Sequence, residues 1–235
     1  MSTDPTWYQC MIQGHWFKHL PLSLQDSLLR SARLRALAPG QVLFQRGDAP
    51  CGLYAVLSGS MRVGAVSSEG KEALLTLVEA PQWFGEISLF DGQPRTHDAQ
   101  AEGGVNLLWI PQAALLALLA QQPGYWRDFA LLMSQKLRLV FVALEQQSLL
   151  AAAPRVALRL LQIAAGYGEM NDSRRVLQLS QEQLALMLSL SRQTTNQILK
   201  SLQQDGALRL GYGEIEILDP ARLQALASPA GTVIR

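Results

Sequence analysis

The spacing of apolar side chains changes character several times along this 235-residue chain. Residues 7–37 carry Leu20, Leu24, Leu28 and Leu29 on what reads as one helical face, and the segment is expected to be helical throughout. From Val42 to Ile110 the pattern shortens. Apolar runs such as Leu53-Tyr54-Ala55-Val56-Leu57 and Val105-Asn106-Leu107-Leu108-Trp109-Ile110 alternate with turn signals such as Arg46-Gly47-Asp48, Ser58-Gly59-Ser60 and Glu102-Gly103-Gly104. Many short strands with regular turns predict an antiparallel roll or sandwich.

Helical spacing returns at residues 112–121, is broken by Pro123-Gly124, and resumes from about Tyr125 to Leu150. In this long segment Ala130, Met133, Leu137, Val140, Leu144 and Gln147 recur at alternating intervals of three and four. A seam that narrow is best matched by a second copy of the same helix, although a stripe packed on its own domain has the same period. Ala151-Ala152-Ala153-Pro154 ends the helix and marks a hinge. Proline disfavours helix at the residue before it and suits the first turn of a new one, expected over 155–166. The divisions expected from these breaks are 1–123, 124–150 and 151–235.

The last of these contains a compact set of helix signals. Ser180 with Gln183 makes a capping box for a helix over 181–187, and residues 188–190 form a tight turn. Ser191 caps a second helix over 192–205, which Gly206 stops. Leu184, Met187, Leu190, Ile198 and Leu202 supply the apolar contacts between the two. Short strands at 207–210 and 214–218 flank Gly211-Tyr212-Gly213 as a hairpin. This is the helix-turn-helix layout with a wing, in which the start of the second helix meets base edges. Arg192 can donate twice to guanine, and Gln193 or Gln197 can pair with adenine. Ser180, Gln181, Ser191, Thr194, Thr195 and Lys200 suit phosphates. A structural helical hairpin with a solvated face is the alternative. Residues 151–235 hold nine Lys and Arg against seven Asp and Glu, a balance of +2. So modest a charge calls for two copies on one duplex.

A second constellation lies about a hundred residues earlier, from Phe84-Gly85-Glu86-Ile87-Ser88 to Gln93-Pro94-Arg95-Thr96. Gly85 allows close backbone approach and leaves amides for an anion. Glu86 can accept from ribose hydroxyls, Arg95 can fork onto a phosphate, and Thr96 can add a hydroxyl, with residues 89–94 wrapping the phosphate. A surface turn bearing a Glu–Arg pair would read the same way.

Hydrophobic residues make up 49% of the chain, enough for real cores, and the net charge of +1 gives no global basic field. No apolar run reaches the roughly 18 residues of a membrane span, and the start of the chain lacks an export signal, so a cytoplasmic protein is expected. Two cysteines, Cys10 and Cys51, are too few for an iron–sulfur cluster. Their apolar neighbours favour inert thiols over redox sensors. His15 and His19 stand one turn apart and could ligate a metal or haem, but an isolated pair more often marks a polar helix face. Trp7, Trp16 and Phe17 read as an aromatic anchor for the first helix. No nucleophile–base pair, phosphate-binding GKT loop or metal motif points to an enzyme.

Residues 84–96, the long helix and residues 180–219 together resemble the bacterial transcription regulators that include the catabolite activator and the fumarate–nitrate regulator. The likeness runs from about His15 to Asp219. It implies an α+β fold: an N-terminal antiparallel β-roll of the cyclic-nucleotide-binding jelly-roll kind, a long central dimerisation helix and a C-terminal winged helix-turn-helix. It also implies a homodimer on a two-fold-symmetric DNA operator, with RNA polymerase as a further partner. Gly85, Glu86, Ile87, Arg95 and Thr96 fall within the family's cyclic-nucleotide cassette, so cAMP or cGMP is the implied effector and no metal is expected. Arg192 falls on the arginine that reads guanine. Three departures stand out. His97 and Asp98 replace small or β-branched residues after the cassette. Val140 and Phe141 stand where cAMP-responsive members place adenine-binding hydroxyls, and neither can hydrogen-bond a base. Gln193 and Gln197 replace an acid and a second arginine on the recognition helix. The base preference of the pocket and the operator should therefore both differ from those of the cAMP-responsive members. An empty pocket, a haem- or redox-sensing or effector-independent regulator, and a nucleotide-binding subunit of an enzyme are the competing readings.

Overall fold

The structure, a computed structural model, describes residues 5–168, 170 and 173–227. The first four residues, on which the expectation about export partly rests, lie outside the described residues. The chain opens with helices α1 (Pro5–Met11), α2 (His15–Lys18) and α3 (Leu22–Ser31). The single helix expected over 7–37 is therefore broken. Gly14 before α2 and Pro21 before α3 hold non-helical dihedrals, and residues 33–37 form strand β1 (Arg33–Leu37). Five residues of β1 pair with a partner strand in register from Arg33–Trp109 to Leu37–Val105, and that ladder outweighs the helical spacing.

The strands that follow are β2 (Val42–Phe44), β3 (Gly52–Ser58), β4 (Ser60–Val66), β5 (Glu72–Glu79) and β6 (Trp83–Phe84). A short helix, α4 (Ile87–Asp91), precedes β7 (Asp98–Ala101) and β8 (Val105–Pro111). They form two antiparallel four-stranded sheets, ordered β1-β8-β3-β6 and β2-β7-β4-β5. Because side chains alternate across a strand, β3 and β8 serve two cores at once. Leu53, Ala55, Leu108 and Ile110 face the helices, where they join Met11, Trp16, Phe17, Leu24 and Leu28. Tyr54, Val56, Val105 and Leu107 face the other way and meet Phe44, Met61 and Ala99 of the second sheet. This is the β-roll.

The roll is closed by α5 (Gln112–Gln121), and α6 (Trp126–Leu149) follows. Phe129 and Leu132 of α6 are buried in the helical core, and Trp16 Nε1 donates to the Asp128 carbonyl at 2.8 Å. The Trp16 ring also packs 5.6 Å from Phe129 and 5.3 Å from Trp83, centroid to centroid. Trp16 thus anchors α6 as well as the first helices, while the Phe17 ring stacks on Trp83. The chain divides into two compact units between Arg138 and Leu139, inside α6.

The second unit contains α7 (Ala152–Ala164), β9 (Val176–Leu177), α8 (Gln181–Leu188), α9 (Arg192–Gln204), β10 (Leu208–Leu210), β11 (Ile215–Ile217) and α10 (Pro220–Ala227). Helix α7 begins three residues earlier than expected. Pro154 falls within its first turn, where the missing N–H costs no helical hydrogen bond. Helix α7 packs against α8, α9 and α10, and β10-β11-β9 form a small sheet beside them.

Leu108 is wholly buried between β3 and the helices. Leu108→Ala should lower the unfolding free energy by about 2–5 kcal/mol in a denaturant titration.

Candidate functional site

Gly85 has a φ of +94°, and a Cβ there would lie 3.0 Å from both Arg95 Nη1 and the Gly52 carbonyl oxygen. Glycine is required because the Arg95 side chain lies directly against this backbone. Arg95 Nη1 donates to the Gly85 carbonyl at 2.8 Å, and Nη2 donates to the Gly52 carbonyl at 2.6 Å and to Cys51 Sγ at 3.0 Å. The guanidinium lies 4.4 Å from the centre of the Phe44 ring and 5.9 Å from that of Tyr54. Arg95 is 4% exposed, and of its donors Nε has no partner. The residue expected to fork onto a ligand phosphate is therefore turned into the roll. Charge-assisted bonds to two carbonyls and the aromatic faces offset the loss of water. Beside it, the Tyr54 hydroxyl meets Cys51 Sγ at 3.2 Å. Burial first, then the Cys51 contact, pushes the Tyr54 pKa well up, against the pull of Arg35 and Arg95. Burial also raises the Cys10 thiol, which lies 3.7 Å from the Leu57 carbonyl.

Glu86, just ahead of α4, is likewise buried. Its Oε2 accepts from Lys136 Nζ of α6 at 2.7 Å. The same ammonium donates to the Trp83 carbonyl at 2.7 Å. Residues 89–94 do not form one wrapping loop. The chain is helical to Asp91 and turns at Gly92 in the left-handed region. Ile87 and Thr96 are exposed, and Thr96 Oγ1 lies 3.0 Å from His97 Nδ1. Burial, then the Arg46 charge, lowers the His97 pKa, and Asp98 opposes them. Asp98 Oδ1 accepts from the Arg46 amide at 2.7 Å. Val140 and Phe141 are exposed on α6, one turn beyond Lys136. Lys136 lies outside the apolar seam, and nothing local in the sequence shows that Glu86 reaches it.

In the second unit the capping box is complete. Ser180 Oγ accepts from the Gln183 amide at 3.2 Å, and Gln183 Oε1 accepts from the Ser180 amide at 2.7 Å. Ser189 takes the left-handed conformation at the turn, and Ser191 Oγ accepts from the Thr194 amide at 3.0 Å. At 100° per residue, Arg192, Gln193, Gln197 and Lys200 fall within an arc of about 140° on α9. All four are exposed, and their side chains make no hydrogen bond or ion pair among the described residues. Thr195, expected to reach a phosphate, is wholly buried on the opposite side, and its hydroxyl donates to the Ser191 carbonyl at 3.1 Å. Leu199 packs there too, where Ile198 was expected to carry the contact and is only half-buried. Gln181 Oε1 accepts from Asn196 at 2.7 Å, tying the two helices together. Tyr212, at the tip of the β10–β11 hairpin, is fully exposed.

His19 Nδ1 donates to the His15 carbonyl at 2.7 Å, so that pair is held along its own helix. Among the described residues no group of three His, Cys, Asp or Glu side chains could hold a metal ion. No helix among them is long and apolar enough to cross a membrane.

A β-roll with a glycine–glutamate–arginine cassette, a long helix and a winged helix-turn-helix define a DNA-binding regulator with an effector-binding domain. Residues 34–122 match the cyclic nucleotide-binding domain family, and residues 154–226 match the Crp-like helix-turn-helix domain. The chain is 31% identical over 203 residues to the cyclic AMP receptor protein of Thermus thermophilus, covering 86% of this chain and 91% of that one. It is 30% identical over 186 residues to a CRP-like cAMP-activated global transcriptional regulator of Mycobacterium tuberculosis, covering 78% and 83%. A solved CRP/FNR-family transcriptional regulator, also from Thermus thermophilus, is 29% identical, with a TM-score of 0.66 over 85% of this chain and all of that one. The chain belongs to the Crp/Fnr family of transcription regulators.

Arg95→Met should lower stability by about 3–5 kcal/mol in a chemical melt without nucleotide, because it leaves two carbonyls without their charged donor. An arginine that served a ligand alone would leave the melt unchanged.

Proposed function

We propose that this protein acts as a homodimer that reads a two-fold-symmetric operator through paired α9 helices, under the control of a cyclic nucleotide in the roll. The observation that carries this reading is the set of unpartnered side chains at the start of α9. Arg192 suits guanine O6 and N7, Gln193 and Gln197 suit adenine, and Lys200, Thr194 and Ser191 suit phosphates. Ser180 and Gln181 stand at the start of α8, where a phosphate is favoured. Two copies are supported by the apolar row on α6, where Leu137, Val140 and Leu144 are each at least half exposed, at 50%, 54% and 56%. Ala130 and Met133 continue the row half-buried, and Gln147 ends it exposed. Such a row in water favours a partner helix. The protein works in the cytoplasm, where operator DNA and RNA polymerase are its partners.

The effector class comes from the cyclic nucleotide-binding match and from the names of the two relatives, both of which refer to cAMP. Gly85, Glu86, Ile87, Arg95 and Thr96 would line its site. A second reading, control without an effector, is favoured by one observation. Arg95 and Glu86, the charged groups of the cassette, already hold internal partners. Titration calorimetry with cAMP, cGMP and cyclic dinucleotides separates the two, and heat with none of them removes the effector.

Selection of bound sequences from random duplex DNA, with and without nucleotide, tests the reading as a whole; failure to enrich any two-fold site overturns it. Against the selected operator, Arg192→Ala should cost about 1–3 kcal/mol and relax preference at one base pair per half-site in a binding titration. Leu144→Glu should shift sedimentation towards monomer and flatten the salt dependence of operator binding, since fewer phosphates are neutralised per bound particle.

A further inference from the structure

We propose that Lys136 is the internal occupant of the effector cassette: its ammonium holds the acceptors Glu86 and the Trp83 carbonyl, and a ribosyl effector acts by displacing it. This rests on the cyclic-nucleotide reading above and names the side chain through which that site reaches α6.

The geometry is specific. Lys136 Nζ lies 2.7 Å from Glu86 Oε2 and 2.7 Å from the Trp83 carbonyl oxygen, so two of its three donors are committed. The two partners differ in exposure: the Glu86 side chain is 5% exposed, and that of Lys136 is 36% exposed. A carboxylate so buried needs a counter-charge, and Lys136 is its ion-pair partner among the described residues. The lysine, at the rim on a flexible stem, can swing into water at far smaller cost. The pair is therefore released from the Lys136 side.

The position of Lys136 on the helix gives the release a consequence. Residues 129 and 132 of α6 are buried in the roll, and Trp16 holds the Asp128 carbonyl. Past Lys136 the helix has no buried residue, and Leu137, Val140, Phe141 and Leu144 are exposed. Among the described residues, Lys136 is thus the last residue of α6 whose side chain is hydrogen-bonded to the roll. A ligand with a free ribose hydroxyl would donate to the same carboxylate and take the charged acceptor from the ammonium, leaving it the Trp83 carbonyl alone. Ligand and tie exclude each other, which makes them thermodynamically linked. The ion pair belongs to the resting state, and breaking it imitates the effector.

The test uses the full chain as wild type, Lys136→Met, Glu86→Gln, the double variant and Lys136→Arg, each titrated with the selected operator in the absence of nucleotide. Lys136→Met and Glu86→Gln should each tighten operator binding on the order of tenfold, within the usual range of coupling between sites. The double variant should add nothing further, and Lys136→Arg should stay close to wild type. Single variants within about twofold of wild type, or effects that add in the double variant, would overturn the proposal. Glu86→Gln keeps the shape of the side chain, so it decides the matter if Lys136→Met does not fold. In a separate arm cAMP is the probe. It should bind Lys136→Met more tightly than wild type, and equal binding overturns displacement. Failure of cAMP to bind any of the proteins removes the nucleotide reading, and the operator titrations still judge the tie.

Discussion

A guanidinium shut away from water must give its protons to the protein, and the inner face of the roll is arranged around that demand. Arg95 enters between the sheets, and the strands supply carbonyls at Gly52 and Gly85 and ring faces at Phe44 and Tyr54. Gly85 has room for no side chain because Arg95 occupies that space. The Tyr54 phenol and the Cys51 thiol complete the wall around the cation. What reads in one dimension as a ligand-binding motif is, in the folded chain, also a fastening of the first sheet. A charge buried this way stabilises the arrangement only while all its partners stay in place.

Glu86 is the opposite charge in the same cassette, and its partner comes from outside the roll's sheets. That difference separates the two halves of the motif. Arg95 is held by backbone that cannot leave, and Glu86 is held by a side chain at the rim of a helix. On the proposed reading, a ligand at the site would meet a fixed arginine and a movable lysine, although the sequence looks like a balanced pair.

Helix α6 shows a similar division along its length. Its first turns are bound into the core by Phe129, Leu132 and the Trp16–Asp128 hydrogen bond, and its later turns carry apolar side chains that are about half exposed. On α9 the division runs around the helix. Thr195, Leu199 and Leu202 face the fold, and Arg192, Gln193, Gln197 and Lys200 face away. On the proposed reading, α6 offers a surface to a like partner and α9 a surface to a polyanion.

Local signals decided much of this. The caps and turn of 180–206, the extent of 112–121 and the breaks at Pro123 and Ala151 depend on contacts within a few residues, where backbone propensity and side-chain caps act. The glycine at 85 was legible for the same reason. The start of the chain was misread as one helix, because pairing of β1 with residues some seventy positions away, at Trp109, overrides local spacing. The inward turn of Arg95, the burial of Thr195 and the arrival of Lys136 at Glu86 were not legible. Each depends on which side of a strand or helix is covered by a distant element, and on the charge balance that burial imposes. Residue identity along the chain settled which kinds of chemistry were available. Packing settled which of those groups still face solvent, because a charged side chain cannot leave water without a partner, and only the fold brings that partner to it.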